Sequence, residues 1–573
     1  MFFKISFHFA SGKPSSFAFR MLRAAISKIK SRFAGGGLSF INPDDYNVVK
    51  EGKAEILFPK AETVFYNPVQ QFNRDLSVCC IKAWDNLYGY PARNGRRKGR
   101  KRSNCNDEDA MSGGKRRKLK DNAVEQSGVE IVPYMRILEA LSATGLRAIR
   151  YAHEIPHVKE IVANDLLPDA VESIRRNAEF NKVDHIVKPN LDDANVLMYR
   201  AKAENTKYHV IDLDPYGTVT PFVDAALQSI DEDGLMLVTC TDLSVLAGNG
   251  YPEKCFALYG GVNMASHESS HESALRLVLN LLNQSAAKYK KSVEPLLSLS
   301  IDFYVRVFVK VRTSPIEVKN LQSKTMITYH CSQCGSYHNQ PLGRATERTN
   351  NKQKKSIKYS VAQGPPADTK CKFCNGTYHL AGPMYGAPLH NKEFIEEVLR
   401  INREEHTDDV YGTRKRIEGM LTLAKNELRD SPFYFSPNHI SSVLKLQVPP
   451  LKRIAAGLGS LGYNCSLTHA QPSSLKTDAP WEAIWHVMKE SDPSNKKDLT
   501  KMNPNSTGFR ILANEPQWLP DPLRETLANL SFEPNDQSGQ LESLRKLKIV
   551  RYQENPTKNW GPKARPNANK QSH

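Results

Sequence analysis

The sequence predicts an α/β fold: a doubly wound, Rossmann-like parallel sheet of nucleotide-binding type, followed by a C-terminal α+β region. Three observations predict it. Between residues 136 and 217 apolar runs of strand length alternate with helical stretches, an acid follows each of three successive runs, and two C-x-x-C knuckles stand beyond residue 330.

The first strand is expected at Arg136–Ala140. It runs into Leu141–Arg147, where small residues let the backbone approach a ligand, and then into a helix through His153. The second, Glu160–Asn164, ends at Asp165, 26 residues after Glu139, where an acid can accept both hydroxyls of a ribose. A helix over Pro168–Asn181 follows. A third strand near Ile186–Pro189 leads to Asp192, Asp193 and Ala194, where a carboxylate and a backbone amide can read an adenine edge. The fourth, the apolar run Tyr208–Leu213, delivers Asp214, Pro215, Tyr216 and Gly217. Leu297–Asp302 and Tyr304–Arg312 read as a final strand pair.

The first turn carries one glycine, Gly145, where the dinucleotide fingerprint asks for three. Hydride transfer is therefore disfavoured, and a ligand with ribose and adenine but no phosphate, S-adenosylmethionine, fits better. The Asp-Pro-Tyr-Gly turn suits methylation of a nucleobase amino group. Such an amine is a poor nucleophile, because its lone pair is delocalised into the ring. A carboxylate that accepts its hydrogen bonds draws the pair out of plane. Pro215 restricts its own φ and that of Asp214, and Tyr216 can stack on an extruded base. A helix-capping acid or a plain turn with a buried tyrosine explains any one of these positions, but poorly explains the series.

These residues resemble the tRNA (guanine-26-N2)-dimethyltransferase family. The resemblance runs from about Ile41 onward and is most specific at Ala54–Pro59, Phe65–Pro68 with Asn73–Asp75, Leu138–Arg147, Asp214–Gly217 and a four-cysteine site. It implies a class I methyltransferase domain that forms N2,N2-dimethylguanosine at position 26 of tRNA. It further implies that Arg74, Arg147, Asp165, Asp193 and Ala194 bind S-adenosylmethionine and that Asp214 is the catalytic acid/base residue. Read without it, Arg74 is equally able to pair with Asp75. With it, a guanidinium that holds the methionyl carboxylate by two parallel hydrogen bonds is expected.

Two rival readings remain. Cys240, at the end of the next strand, is where a cytosine-C5 RNA methyltransferase can carry its nucleophilic thiolate, although that class also needs a cysteine at the position of Gly217. A catalytically inactive tRNA-binding or chaperone protein has no chemical need for Asp165, Asp193 and Asp214 together.

With 573 residues and 40% hydrophobic content, the chain can bury two or more cores. No apolar run reaches membrane-spanning length, so no membrane insertion is expected. The net charge of +18 is unevenly placed. Residues 1–43 hold seven Lys/Arg and no acid, and residues 93–120 hold twelve against three acids, which leaves the remainder near neutral. Affinity for RNA must then come from local patches, of which two are readable: the basic loop at 344–358 and the tail from Glu542. The stretch 1–43 reads as a mitochondrial presequence, with Met21 as a second start. The insert at 93–128 is expected to be disordered, and its clusters Arg96–Arg102 and Lys115–Lys118 read as a nuclear localisation signal or as an RNA-contacting loop. Nucleus and mitochondrion are both expected.

Cys331 and Cys334, with Cys371 and Cys374, supply four thiolates at a spacing that suits one closed, structural Zn2+ site. His338 and His379 are possible substitutes. The expected domains are 44–313 for the methyltransferase, 314–430 for the zinc-binding region, 431–540 for the winged-helix-like module and 541–573 for the basic tail. In the module, Phe433–Ser436 leads to helices over Pro437–Lys445 and Pro449–Leu461 and a run at Tyr463–Thr468. It could grip the tRNA body or serve as a packing platform. In the tail, Tyr552 and Trp560 are interleaved with basic residues, as phosphate contacts and stacking require.

Overall fold

The computed structural model describes residues 45–60, 66–89, 132–349, 353, 355–491, 499–519 and 521–552. The presequence, the insert at 93–128 and Trp560 lie outside these.

The centre is a seven-stranded sheet in the order β5-β4-β3-β6-β7-β9-β8. Its strands are β3 (Met135–Glu139), β4 (Val158–Asp165), β5 (Val187–Leu191), β6 (Tyr208–Leu213), β7 (Ile230–Cys240), β8 (Lys291–Ile301) and β9 (Tyr304–Thr313). The strands β5 to β7 run parallel, and β9 joins β7 antiparallel with Cys240 opposite Val305. Successive residues feed opposite cores: Ile137, Val210 and Leu237 enter one, and Leu138, Ile211 and Val238 the other. A sheet covered on both faces demands nearly continuous apolar strands, which is why these runs were legible.

The first core is closed by the helices Gln71–Tyr88, Leu146–Glu154, Lys392–Glu404 and Arg414–Asn426. The second is closed by Ala194–Ala203, Val223–Ser229 and Ser270–Ala287. A short hairpin, β1 (Tyr46–Glu51) and β2 (Ala54–Pro59), leans on the Leu146–Glu154 and Pro168–Phe180 helices. Neither this hairpin nor the Gln71–Tyr88 helix was expected as an element.

Beyond β9 lie a three-stranded sheet of β10 (Thr325–Cys331), β11 (Tyr337–Pro341) and β14 (Tyr378–Tyr385), and a separate two-stranded ribbon. The ribbon is β12 (Gly343–Thr349) and β13 (Lys355–Val361). It corrects the expected basic loop at 344–358, for alternation of side chains along Arg344–Arg348 and Lys355–Val361 is compatible with pairing, and seven residue pairs form. Arg344, Arg348 and Lys358 share one face with Thr346, Ser356 and Ser360, and that face carries no acid.

A third core joins the cysteine knuckles to the C-terminal module. There the helices Pro437–Leu444, Leu451–Ser460 and Trp481–Glu490 surround the small hairpin β15 (Cys465–Leu467) and β16 (Leu475–Thr477). Two buried links tie this module to the sheet and the helices that cover it. Lys476 Nζ reaches Glu272 at 3.0 Å and Glu427 at 3.1 Å, and the Ser300 amide donates to His469 Nε2 at 3.1 Å. His390 and His469 also converge on Glu427, but the Lys476 ammonium already supplies the cation that carboxylate needs.

Candidate active site

The predicted residues gather where doubly wound sheets bind ligands, at the carboxyl ends of the parallel strands. After β3 the chain turns through Gly145, whose φ of +78° belongs to the left-handed region. A Cβ there would stand 3.3 Å from Ile174, so glycine also permits the turn to sit against the Pro168–Phe180 helix. The turn presents the Ala143 amide to Asp165 at 2.9 Å, and the Leu167 amide reaches the same carboxylate at 3.1 Å. Asp193 caps the Ala194–Ala203 helix, accepting from the amides of Asn195 at 2.7 Å and Val196 at 3.3 Å. Ala194 is buried behind it. Leu166, Leu167 and Leu191 border the two acids with exposed side chains, Leu166 at 63%. That apolar rim beside fixed carboxylates fits the adenine and ribose of S-adenosylmethionine.

Asp214 follows β6 with its side chain 23% exposed. Pro215 is buried behind it, and Tyr216 projects with 50% exposure. The turn is clamped to the end of β7: the Gly217 amide donates to Thr241 Oγ1 at 2.7 Å, and the Thr241 amide donates back to the Gly217 carbonyl at 2.9 Å. One residue on, the Thr218 hydroxyl donates to Tyr259 Oη at 2.9 Å, and Tyr259 donates to Asp242 at 2.7 Å.

Asp214 ends a buried charge network. Arg147 pairs directly with it and lies 3.3 Å from Asp212, 3.7 Å from Glu139 and 3.1 Å from Ser77 Oγ. Arg306 of β9 binds Asp212 at 2.9 Å, and Tyr151 donates to Asp212 at 2.6 Å. Burial works against the Asp212 charge, but the guanidiniums of Arg306 and Arg147 hold its carboxyl below the usual range. At Glu139 burial wins over Arg147 and pushes the carboxyl up to about 8. The Asn73 amide approaches Asp214 at 3.5 Å. Asp212, Glu139, Arg306, Ser77 and Asn73 were given no site role from the sequence. Asp212 had a signal, since residues i and i+2 of a strand share a face and Asp212 stands two before Asp214.

Arg74 follows Asn73 on the Gln71–Tyr88 helix and is held by a carboxylate. Glu51 takes its Nε at 2.6 Å and its Nη2 at 2.5 Å, so its partner is neither Asp75 nor an open cleft. Asp75 binds Arg150 at 2.6 Å and the Thr413 hydroxyl at 2.7 Å. Cys240 is fully buried, and burial pushes its thiol up to about 12, which works against a nucleophilic thiolate.

The four predicted cysteines converge, with ligand atoms all within 4.8 Å of one another. Cys331 and Cys374 sulfurs are 3.4 Å apart, and those of Cys334 and Cys371 are 3.7 Å apart. A tetrahedron of sulfurs about 2.3 Å from one zinc has edges of about 3.8 Å, so the set fits that ion. His338 and His379 stand on β11 and β14, outside the sulfur cluster.

The sequence profile described as N2,N2-dimethylguanosine tRNA methyltransferase matches residues 45–489. A Saccharomyces cerevisiae protein named tRNA (guanine(26)-N(2))-dimethyltransferase, mitochondrial, is 73% identical over 563 residues, covering 96% of this chain and 97% of its own. A Schizosaccharomyces pombe protein named tRNA (guanine(26)-N(2))-dimethyltransferase is 44% identical, covering 90% and 92%. Among solved structures, Trm1 from Pyrococcus horikoshii in complex with S-adenosyl-L-methionine superposes with a TM-score of 0.58 at 25% identity, covering 77% of this chain and 99% of that one.

Proposed function

The chain belongs to the N2,N2-dimethylguanosine tRNA methyltransferase family, and as a tRNA (guanine(26)-N(2))-dimethyltransferase that uses S-adenosylmethionine we propose that it works through Asp214 on the exocyclic amine, with Tyr216 as the stacking platform. One observation carries this assignment. Within the buried network of Glu139, Arg147, Asp212 and Asp214, Asp214 is the member most open to solvent.

Arg147 pairs with Asp214 on one side, and the lone pairs left open accept from the guanine N2–H and N1–H, which adenine cannot offer in that arrangement. A weak base suffices, because an aryl-type amine becomes strongly acidic once its nitrogen is alkylated. Tyr216 holds the extruded base against the turn clamped by Thr241. S-adenosylmethionine, when bound, supplies the methyl group from a sulfonium. In this reading Asp165 takes the ribose hydroxyls, Asp193 and the Ala194 amide the adenine edge, and Arg147 lies toward the methionyl end. Arg74, paired with Glu51 in the structure, is the guanidinium assigned to the methionyl carboxylate. Most of the acceleration then comes from alignment.

The same proposal makes 44–313 the catalytic domain, with zinc in the Cys331, Cys334, Cys371 and Cys374 site of the 314–430 region as a structural ion. The winged-helix-like module at 431–540, the basic face of the β12–β13 ribbon and the tail at 541–573 contact tRNA. Residues 1–43 direct the chain to the mitochondrion, in line with the mitochondrial relative, and the clusters in 93–128 direct it to the nucleus.

The test is methyl transfer from labelled S-adenosylmethionine to unmodified tRNA, followed by nucleoside analysis. Wild type should yield N2,N2-dimethylguanosine. Asp214→Asn should lower kcat about a thousandfold, and Cys240→Ala should retain activity. A product of 5-methylcytosine that vanishes with Cys240→Ala would transfer the chemistry to the thiol, and tight tRNA binding without any product would leave a binding protein.

A further inference from the structure

One cavity gives the start of the tail a specific partner set. It has a volume of about 130 Å³ and is lined by His271, Ser300, Asp302, Arg416, Arg551 and Tyr552 among others. It lies between the sheet and the C-terminal module. Asp302 sits in the turn between β8 and β9, at the end where Val305 faces Cys240 of β7. That is the rim on which Asp214 follows β6. From β6 through β7 to β9 is two strand spacings, about 10 Å.

Arg416 is 4% exposed, and three of its contacts are fixed. Its Nε donates to the Arg551 carbonyl at 2.9 Å, and its Nη2 donates to both oxygens of Asp302 at 2.8 and 2.9 Å. Its guanidinium carbon lies 4.5 Å over the ring of Phe72, the neighbour of Asn73, whose amide approaches Asp214. The remaining nitrogen, Nη1, is buried and has no hydrogen-bond partner among the described residues, and the same holds for Arg551 Nη1. A buried donor left without an acceptor costs about 1–3 kcal/mol, more when charged. Two such guanidinium donors on one cavity, against the single carboxylate of Asp302, leave it with one positive charge to spare. Guanidinium forks of this kind match the oxygens of a phosphate.

We propose that the Arg416–Arg551 cavity is a phosphodiester-binding subsite that grips the tRNA backbone within a nucleotide or two of the target guanosine. The proposal rests on tRNA as the substrate of the neighbouring site. RNA backbone is favoured over a free anion because Asp302, which lines the cavity, stands on the rim that also carries Asp214, and because Arg545, Lys546 and Lys548 precede Arg551 on the same stretch of chain. Gripping the flanking backbone is what an enzyme must do to hold a nucleotide extruded.

The experiment compares wild type and Arg551→Gln in equilibrium binding to tRNA at two salt concentrations, with a set of tRNAs that each carry one neutral methylphosphonate linkage near the target. Arg551 is only partly buried, so the variant should fold, and its affinity for S-adenosylmethionine should match wild type. Arg551→Gln should weaken tRNA binding about tenfold and flatten the slope of log K against log salt by about one. One neutral linkage should impose the same loss on wild type and none on the variant. Arg416→Lys, which keeps the charge beside Asp302, should reproduce part of the loss. If every linkage weakens both proteins equally, the subsite is not there. If millimolar inorganic phosphate stabilises wild type but not Arg551→Gln and tRNA affinity is unchanged, the cavity holds a small anion and the backbone assignment falls. Failure of the wild-type enzyme to methylate tRNA would instead strike the functional reading itself.

Discussion

Arg147 and Arg150 stand three residues apart on one helix, both buried among carboxylates, and they end in different circumstances. Arg150 meets Asp75 at 2.6 Å, Glu51 at 2.9 Å and Glu154 at 3.0 Å, and all of these side chains are out of solvent. Arg147 meets Asp212 and Glu139, also buried, but its last partner is the half-open Asp214. One network closes on itself and holds the β1–β2 hairpin, the Gln71–Tyr88 helix and the Leu146–Glu154 helix together. The other hands its charge to a group that can touch a substrate. Buried arginine–carboxylate clusters are therefore not in themselves signs of a site; the member that reaches the cleft is.

The comparison breaks most visibly if the two networks answer alike to substitution. Arg150→Met leaves Glu51, Asp75 and Glu154 without their shared cation and should cost about 3–5 kcal/mol in urea unfolding. The surviving folded fraction should keep its turnover number. Asp214→Asn should do the reverse, with the unfolding midpoint held and the rate lost; a matching loss of stability in both variants would erase the distinction.

Acid sharpens it further. Although burial opposes the charge, Arg74 and then Arg150 hold Glu51 down at about 2 from an ordinary 4.5. A carboxyl depressed in the fold contributes stability that is fully present above 4.5 and lost as pH falls from there towards 2. The contribution is on the order of 3 kcal/mol, so the stability gap between wild type and Glu51→Gln should close over that window. An unchanging gap would mean that the pair does not hold Glu51 ionised.

The smallest effect belongs to Glu139, raised by burial to about 8. Burial favours the neutral carboxyl in the fold, so Glu139→Gln should shift stability by less than about 1 kcal/mol at or below pH 4.5, where the unfolded carboxyl is neutral too. A raised carboxyl costs the wild type stability as pH climbs from 4.5 towards 8, and the glutamine variant should escape that decline. A large loss at neutral pH would show that Arg147 needs the Glu139 charge after all.

The sheet was legible because its central strands β3 and β6 are nearly continuous buried runs, and β6 was read at its observed bounds, Tyr208–Leu213. That same run concealed Asp212, which is tolerated inside it because Arg306 arrives from a strand 94 residues later. Neighbours so distant leave no local pattern. Arg74 shows the same limit: Asp75 was the adjacent candidate, but a partner 23 residues upstream takes both donors. The cysteines, by contrast, carried their own spacing, and the ribbon was missed because its basic composition spoke louder than its alternation.

The three-residue offset between Arg147 and Arg150 also constrains how this protein can change over evolutionary time. Each residue added to a helix rotates everything beyond it by about 100°. A single insertion or deletion before Arg147 in the Leu146–Glu154 helix would swing the guanidiniums away from Glu51, Asp75, Asp212 and Asp214 at once, unmaking both networks in one step. The exposed β12–β13 ribbon has no such coupling. Length variation among descendants of this chain is expected to accumulate in the ribbon and to spare that helix.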